Sequence, residues 1–175
     1  MKITVLSDTH GKHRELCIEP CDILIHAGDC CDAGDIEQMQ DFFMWLSDQP
    51  ARYKIFVSGN HDLPFELDPE FAEGLIPDNV LFLNNRSVEI EGVTIAGIEA
   101  TMGLLNDIEI TENVDIIISH CAPKDILDGG IGCDNLRKLI FDVKPTYSIF
   151  GHCHEFGDQQ LEIDGICFMN VATAL

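Results

Sequence analysis

Short apolar runs separated by polar loops set the rhythm of the chain. In the first half, Ile3–Leu6, Asp22–His26, Tyr53–Val57 and Val80–Leu83 are rich in apolar residues and too short for stable helices, so they predict strands. Between the second and third of these, Met39, Phe42, Phe43, Trp45 and Leu46 alternate with Gln38, Asp41 and Asp48. That broad amphipathic pattern predicts a helix across Asp35–Ser47, with Asp35 placed to interact favourably with its start. A Pro- and acid-rich stretch separates the third and fourth strands. The second half reads differently: Ser87–Ile90 and Val93–Ile98, split by Glu91-Gly92, predict a hairpin. Strands at Asp115–Ile118 and Tyr147–Phe150 flank a helix around Cys133–Asp142, and Gln160–Ile163 with Ile166–Asn170 predicts a second hairpin about Asp164-Gly165. Two facing sheets with helices outside accommodate this order of elements, a layered α/β sandwich.

The loops that close these runs carry the chemistry. Asp8-Thr9-His10, Gly28-Asp29-Cys30-Cys31-Asp32, Gly59-Asn60-His61-Asp62, Ser119-His120-Cys121 and Gly151-His152-Cys153-His154 each lie where a strand ends. Loops at the carboxyl ends of strands can converge on one crevice. Turn and cap duties explain Gly28, Gly59 and Gly151, but not the concentration of five of the seven histidines in these clusters. Asp8 and His10, one residue apart, project to one side of an extended segment, so one cation can take both. A carboxylate has two oxygens, and Asp29 is central enough to bridge two cations. Asn60 offers a neutral oxygen, His120 and His152 offer imidazoles, and His154 can reach the other cation. Mixed oxygen and nitrogen donors suit manganese, iron or zinc better than calcium or magnesium. Of the remaining histidines, His26 closes an apolar strand and reads as a core residue. His13, in the loop after His10, is a candidate substrate contact.

Composition narrows the partners. The chain has 175 residues, with 46% hydrophobic and 23% charged, and reads as a single domain over 1–175 without repeats or linkers. No apolar run approaches the roughly 18–20 residues of a membrane helix. The start, Met1-Lys2-Ile3-Thr4-Val5, is not signal-like, so a cytoplasmic location is expected. The eight cysteines are expected as thiols, since no pair of Cys-x-x-Cys units exists for a structural zinc. Cys30, Cys31, Cys121 and Cys153 either fill tight loops or act as thiols beside a metal; in the second case Cys30, Cys31 and Cys153 are oxidation-sensitive thiolates. A net charge of −21 repels bulk nucleic acid but not a small phosphate ester, because bound cations reverse the field locally. The basic residues nearest the clusters are Lys12, Arg14 and Lys124, which read as solvated surface. The oligomeric state is left open.

All five blocks together resemble the calcineurin-like metallophosphoesterases, whose pattern is Asp-x-His, Gly-Asp-x-x-Asp, Gly-Asn-His-Asp/Glu, His and Gly-His-x-His. The resemblance runs from Asp8 to His154. The segment from Tyr53 to His61 and the tail from Asp164 through Asn170 are further similar to the subgroup containing the metallophosphoesterase-domain phosphodiesterases. The resemblance implies a four-layer α/β/β/α sandwich of two facing mixed sheets with flanking helices. It also implies two divalent cations, manganese first, with iron, zinc, nickel or magnesium as alternatives. By that resemblance Asp8, His10, Asp29 and His154 hold one cation, and Asp29, Asn60, His120 and His152 hold the other. His61 matches the histidine that contacts phosphate, together with Asn60, and protonates the leaving oxygen; Asp32 matches the acid that orients it. Two such cations lower the pKa of a water between them and leave hydroxide to attack in line.

One departure narrows the substrate. Protein phosphatases of the family continue the second block with Arg-Gly, whereas Ala33-Gly34 follows Asp32 here. Loss of that phosphate-binding arginine suits a small phosphodiester, cyclic nucleotides included. A phosphomonoesterase or nuclease is the alternative, the nuclease lacking a basic track, and a non-catalytic protein-binding scaffold is the third.

Overall fold

A computed structural model describes residues 1–99, 110 and 113–173. The first sheet holds β1 (Ile3–Leu6), β2 (Cys21–His26), β3 (Ala51–Phe56) and β4 (Leu81–Phe82), in that order and parallel at every pairing. The second holds β5 (Arg86–Ile90), β6 (Val93–Ile98), β7 (Ile116–Ser119), β8 (Tyr147–Phe150), β9 (Gln159–Ile163) and β10 (Ile166–Asn170). Its order is β5-β6-β7-β8-β10-β9, antiparallel in the two outer hairpins and parallel between them.

Alternation along the strands sorts side chains into three cores. Ile23 and Ile25 of β2, Ile55 of β3, Ile116 and Ile118 of β7 and Ile149 of β8 meet between the sheets. The intervening residues face outward: Leu24 and Phe56 pack under the helix α1 (Ile36–Asp48), whereas Ile117, Phe150 and Phe168 pack under the helix α4 (Asp134–Val143). A side-chain period of two therefore feeds an apolar layer on both faces of each sheet. The result is the α/β/β/α sandwich. At the start of α1, Asp35 Oδ1 accepts from Glu37 N and Gln38 N, both at 3.0 Å, so the acid is a true N-cap. The Pro- and acid-rich stretch forms two short helices, α2 (Pro64–Leu67) and α3 (Pro69–Glu73), each with proline near its first turn. Both are too short for apolar periodicity to reveal them.

A backbone pairing joins the sheets. Just past β1, Ser7 pairs with Ala172 beyond β10; Ser7 N donates to Val171 O at 3.1 Å, and Thr173 N returns to Ser7 O at 3.1 Å. This stitch brings the exits of β1, β8 and β10 together. Among the described residues, no helix is long and apolar enough to cross a membrane.

Candidate metal centre

The five loops converge. Asp29, buried at the exit of β2, lies at the middle of the group: its Oδ2 is 3.2 Å from His120 Nε2 and 3.9 Å from His10 Nε2, while Oδ1 accepts from His61 N at 2.8 Å. Burial pushes the Asp29 carboxyl up, but the bond and charge of His120 outweigh it and hold the group at about 2. His120 shows the complement: burial lowers its pKa, yet Asp29 raises it to about 9.

The donor set fits a cation. Ala27 O lies 2.9 Å from His120 Nδ1, in position to take its proton, and Asn60 Oδ1 lies 3.0 Å from His120 Nε2. A nitrogen lone pair, a carboxylate and an amide oxygen thus face one another, an arrangement that only a proton or a cation reconciles. Asp29, His120 and His152 offer ligand atoms within 4.8 Å of one another. Asp8, His10 and His154 form a second such group, with His154 Nε2 3.1 Å from Asp8 Oδ1 and 3.4 Å from His10 Nε2. Each of the seven expected ligands therefore stands in, or directly against, one of these two groups.

The backbone is shaped to make this possible. Asp8, His10, Asp29 and His152 have φ values of 57°, 43°, 58° and 69°, a left-handed conformation that residues other than glycine seldom adopt. Such strain gathers at functional sites, where surrounding bonds over-determine it. Asp8 is fixed by the Ser7 hydroxyl and by His152 N, which donates to its Oδ2 at 3.0 Å. Gly151 leaves room for that carboxylate, since a Cβ there would collide with Ser7 Oγ and Asp8 Oδ2.

Two expected roles change. Asp32 does not hold His61: its Oδ1 lies 3.0 Å from Nδ1 of His10, whose ring stands edge-on to that of His61 at 4.9 Å and is the nearer imidazole. His61 Nδ1 instead accepts from Ala33 N at 3.4 Å, which leaves Nε2 to carry the proton. His13 is no substrate contact. It is fully buried against Phe42 and Trp45, with Nε2 2.9 Å from Asp41 Oδ2, because α1 closes over the loop that carries it. His26 is the expected core residue, buried and 3.1 Å from Thr9 Oγ1.

The cysteines follow the packing alternative. Cys30 is buried and donates to Asp62 Oδ1 at 3.1 Å, and burial pushes its thiol well above the ordinary range. Cys153 donates to Asp128 O at 3.0 Å, and burial raises it to about 11. Both thiols are packed and hydrogen-bonded, as the loop-filling alternative expects.

Sequence reasoning missed Asp62. Its Oδ1 accepts from Cys30 N at 2.9 Å, and its Oδ2 accepts from Asp29 N at 2.9 Å and Gly59 N at 2.8 Å. One buried carboxylate thereby locks the Asp29 loop to the loop of Asn60 and His61. Its place within the third block was the available signal.

The family model for Calcineurin-like phosphoesterase matches residues 1–156. The chain belongs to this family. UPF0046 protein K07C11.7 of Caenorhabditis elegans is 31% identical over 89% of this chain and 64% of its own length. Human metallophosphoesterase domain-containing protein 1 is 29% identical over 88% of this chain and 60% of its own length. The chain thus spans less than two thirds of either relative. The phosphopantetheinyl hydrolase of Mycobacterium tuberculosis superposes with a TM-score of 0.70 at 13% identity, covering 98% of this chain and 89% of the other, a likeness of fold. Proteins of the family bind divalent metals, and the two ligand groups are where this chain's donors gather.

Proposed function

We propose that the chain is a dinuclear metal-dependent phosphoesterase that hydrolyses small phosphodiesters, cyclic nucleotides among them. The observation that carries this reading is the position of Asp29: its Oδ2 lies 3.2 Å from His120 of one ligand group and 3.9 Å from His10 of the other. Asp8, His10, Asp29 and His154 would hold one divalent cation, and Asp29, Asn60, His120 and His152 the second. Manganese is the first choice, ahead of iron, zinc, nickel or magnesium. Two cations there would neutralise the phosphoryl oxygens and make a water acidic enough to yield the attacking hydroxide.

The chain's own residues do the rest. Asn60 and His61, both part-buried at the lip of the group, contact the phosphate. His61 presents Nε2–H to the leaving oxygen and acts as general acid in its imidazolium form, in which Nδ1, the acceptor from Ala33 N at 3.4 Å in the neutral ring, carries a proton as well. Asp32 lies nearer His10 than His61, with Oδ1 3.0 Å from His10 Nδ1. Its side chain is 59% exposed, which adds negative charge to the rim. A rim that is acidic and lacks an arginine after Asp32 favours a diester, which carries one charge, over a monoester carrying up to two.

A chromogenic screen in manganese buffer tests the reading. Bis(p-nitrophenyl) phosphate should be hydrolysed faster than p-nitrophenyl phosphate. A preference for the monoester would move the assignment to phosphomonoesterase, and no turnover of either by manganese-loaded protein would leave the scaffold.

A further inference from the structure

Asn170, at the end of β10, lies outside all five ligand blocks and is 1% exposed. Its side chain is fully engaged, and every partner is backbone. Nδ2 donates to Cys153 O at 3.0 Å and to Leu127 O at 3.1 Å, and Oδ1 accepts from Ala172 N at 3.0 Å. Those partners belong to three different segments. Cys153 sits between His152 and His154, so its carbonyl is the pivot of the two-histidine loop. Leu127 belongs to the loop that leaves His120 and leads to α4. Ala172 belongs to the segment that pairs with Ser7, the residue before Asp8.

We propose that Asn170 is a positioning residue of the metal centre, its amide setting the spacing between the loops of Asp8, His120 and His152–His154. The proposal rests on the two-cation reading above. An amide suits the task because it supplies two donors and one acceptor from a single rigid plane, and the site presents two carbonyls and one N–H. A carboxylate of the same shape cannot donate and would set one oxygen against both carbonyls. Partners that orient ligands from behind are worth roughly 10- to 100-fold in metal affinity when removed. Cys153 O also accepts from Phe156 N at 3.0 Å, so what the Asn170 amide adds is the tie between the loops.

The test is manganese affinity of the metal-free protein, followed by the electron paramagnetic resonance signal of free Mn2+ at 25 °C. Asn170→Asp should weaken at least one of the two ions tenfold or more while the protein still unfolds cooperatively. Ile140→Ala, which opens the core beneath α4 and removes no hydrogen bond of the ligand loops, is the comparison: it should lower the melting temperature and leave both affinities unchanged. If Asn170→Asp binds both ions as the parent does, or if Ile140→Ala weakens them as much, the positioning role is wrong. Should Asn170→Asp not fold, Asn170→Ser, which keeps one donor, is read by the same two outcomes. A parent that binds fewer than two ions overturns the two-cation reading itself, and is recognised before any variant is made.

Discussion

At the scale of the residue, His61 separates chemistry from binding. Its ring belongs to a cluster with His10 and Asp32, but its backbone N–H, not its imidazole, contacts Asp29. His61→Ala should therefore keep its metal content and lose roughly 100- to 10,000-fold in the hydrolysis of diesters with poor leaving groups. The loss should shrink with a nitrophenolate leaving group, which departs without a proton. Steady-state rates across a leaving-group series check this. An equal loss along the series would instead assign His61 to holding the phosphate.

The candidate ligands were legible from residue types alone, because polar donors that close apolar runs stand out. The clamps behind them were not. Asp62 and Asn170 act on backbone N–H and carbonyl groups, which carry no side-chain identity and so leave no trace in a sequence. His13 failed for a related reason: its fate depends on Phe42, Trp45 and Asp41 of α1 closing over it, a tertiary contact that proximity to His10 does not encode.

At the scale of the element, the strand ends do the positioning, and the tight passage of β8 into its loop is the most sensitive of them. Gly151→Ala puts a methyl group where Ser7 Oγ and the Asp8 carboxylate already sit. A hairpin turn provides the contrast. Gly165, in the β9–β10 hairpin, has a φ of +80° and open space around its Cα, so Gly165→Ala meets only the left-handed backbone cost of about 1–2 kcal/mol. Metal titration and urea unfolding of the two variants check the pair. Gly151→Ala is expected to lose cation affinity tenfold or more, and Gly165→Ala to lose stability alone. Strand alternation made β1, β2, β3, β7 and β8 legible to within a residue or two, since each must feed two apolar layers at once. The helices α2 and α3 stayed hidden, as neither is long enough to repeat an apolar position.

At the scale of the whole molecule, two sheets of unlike construction meet at one seam. The parallel first sheet delivers Asp8 and Asp29 to that edge, and the mixed second sheet delivers His120, His152 and His154. The Ser7–Ala172 pairing holds the two contributions in register. Around the seam lies a chain of net charge −21, which repels anions until cations are in place. On the proposed two-cation reading, metal loading and substrate capture are linked, and the second ion should matter as much as the first. Stepwise Mn2+ titration of metal-free protein, with hydrolysis of bis(p-nitrophenyl) phosphate followed at each addition, tests this most directly. Activity should remain near background through the first equivalent and rise to its plateau as the second binds, with Asp29→Asn never reaching that plateau. Full activity at one ion per chain, or an Asp29→Asn protein as active as its parent, would contradict a centre bridged by Asp29.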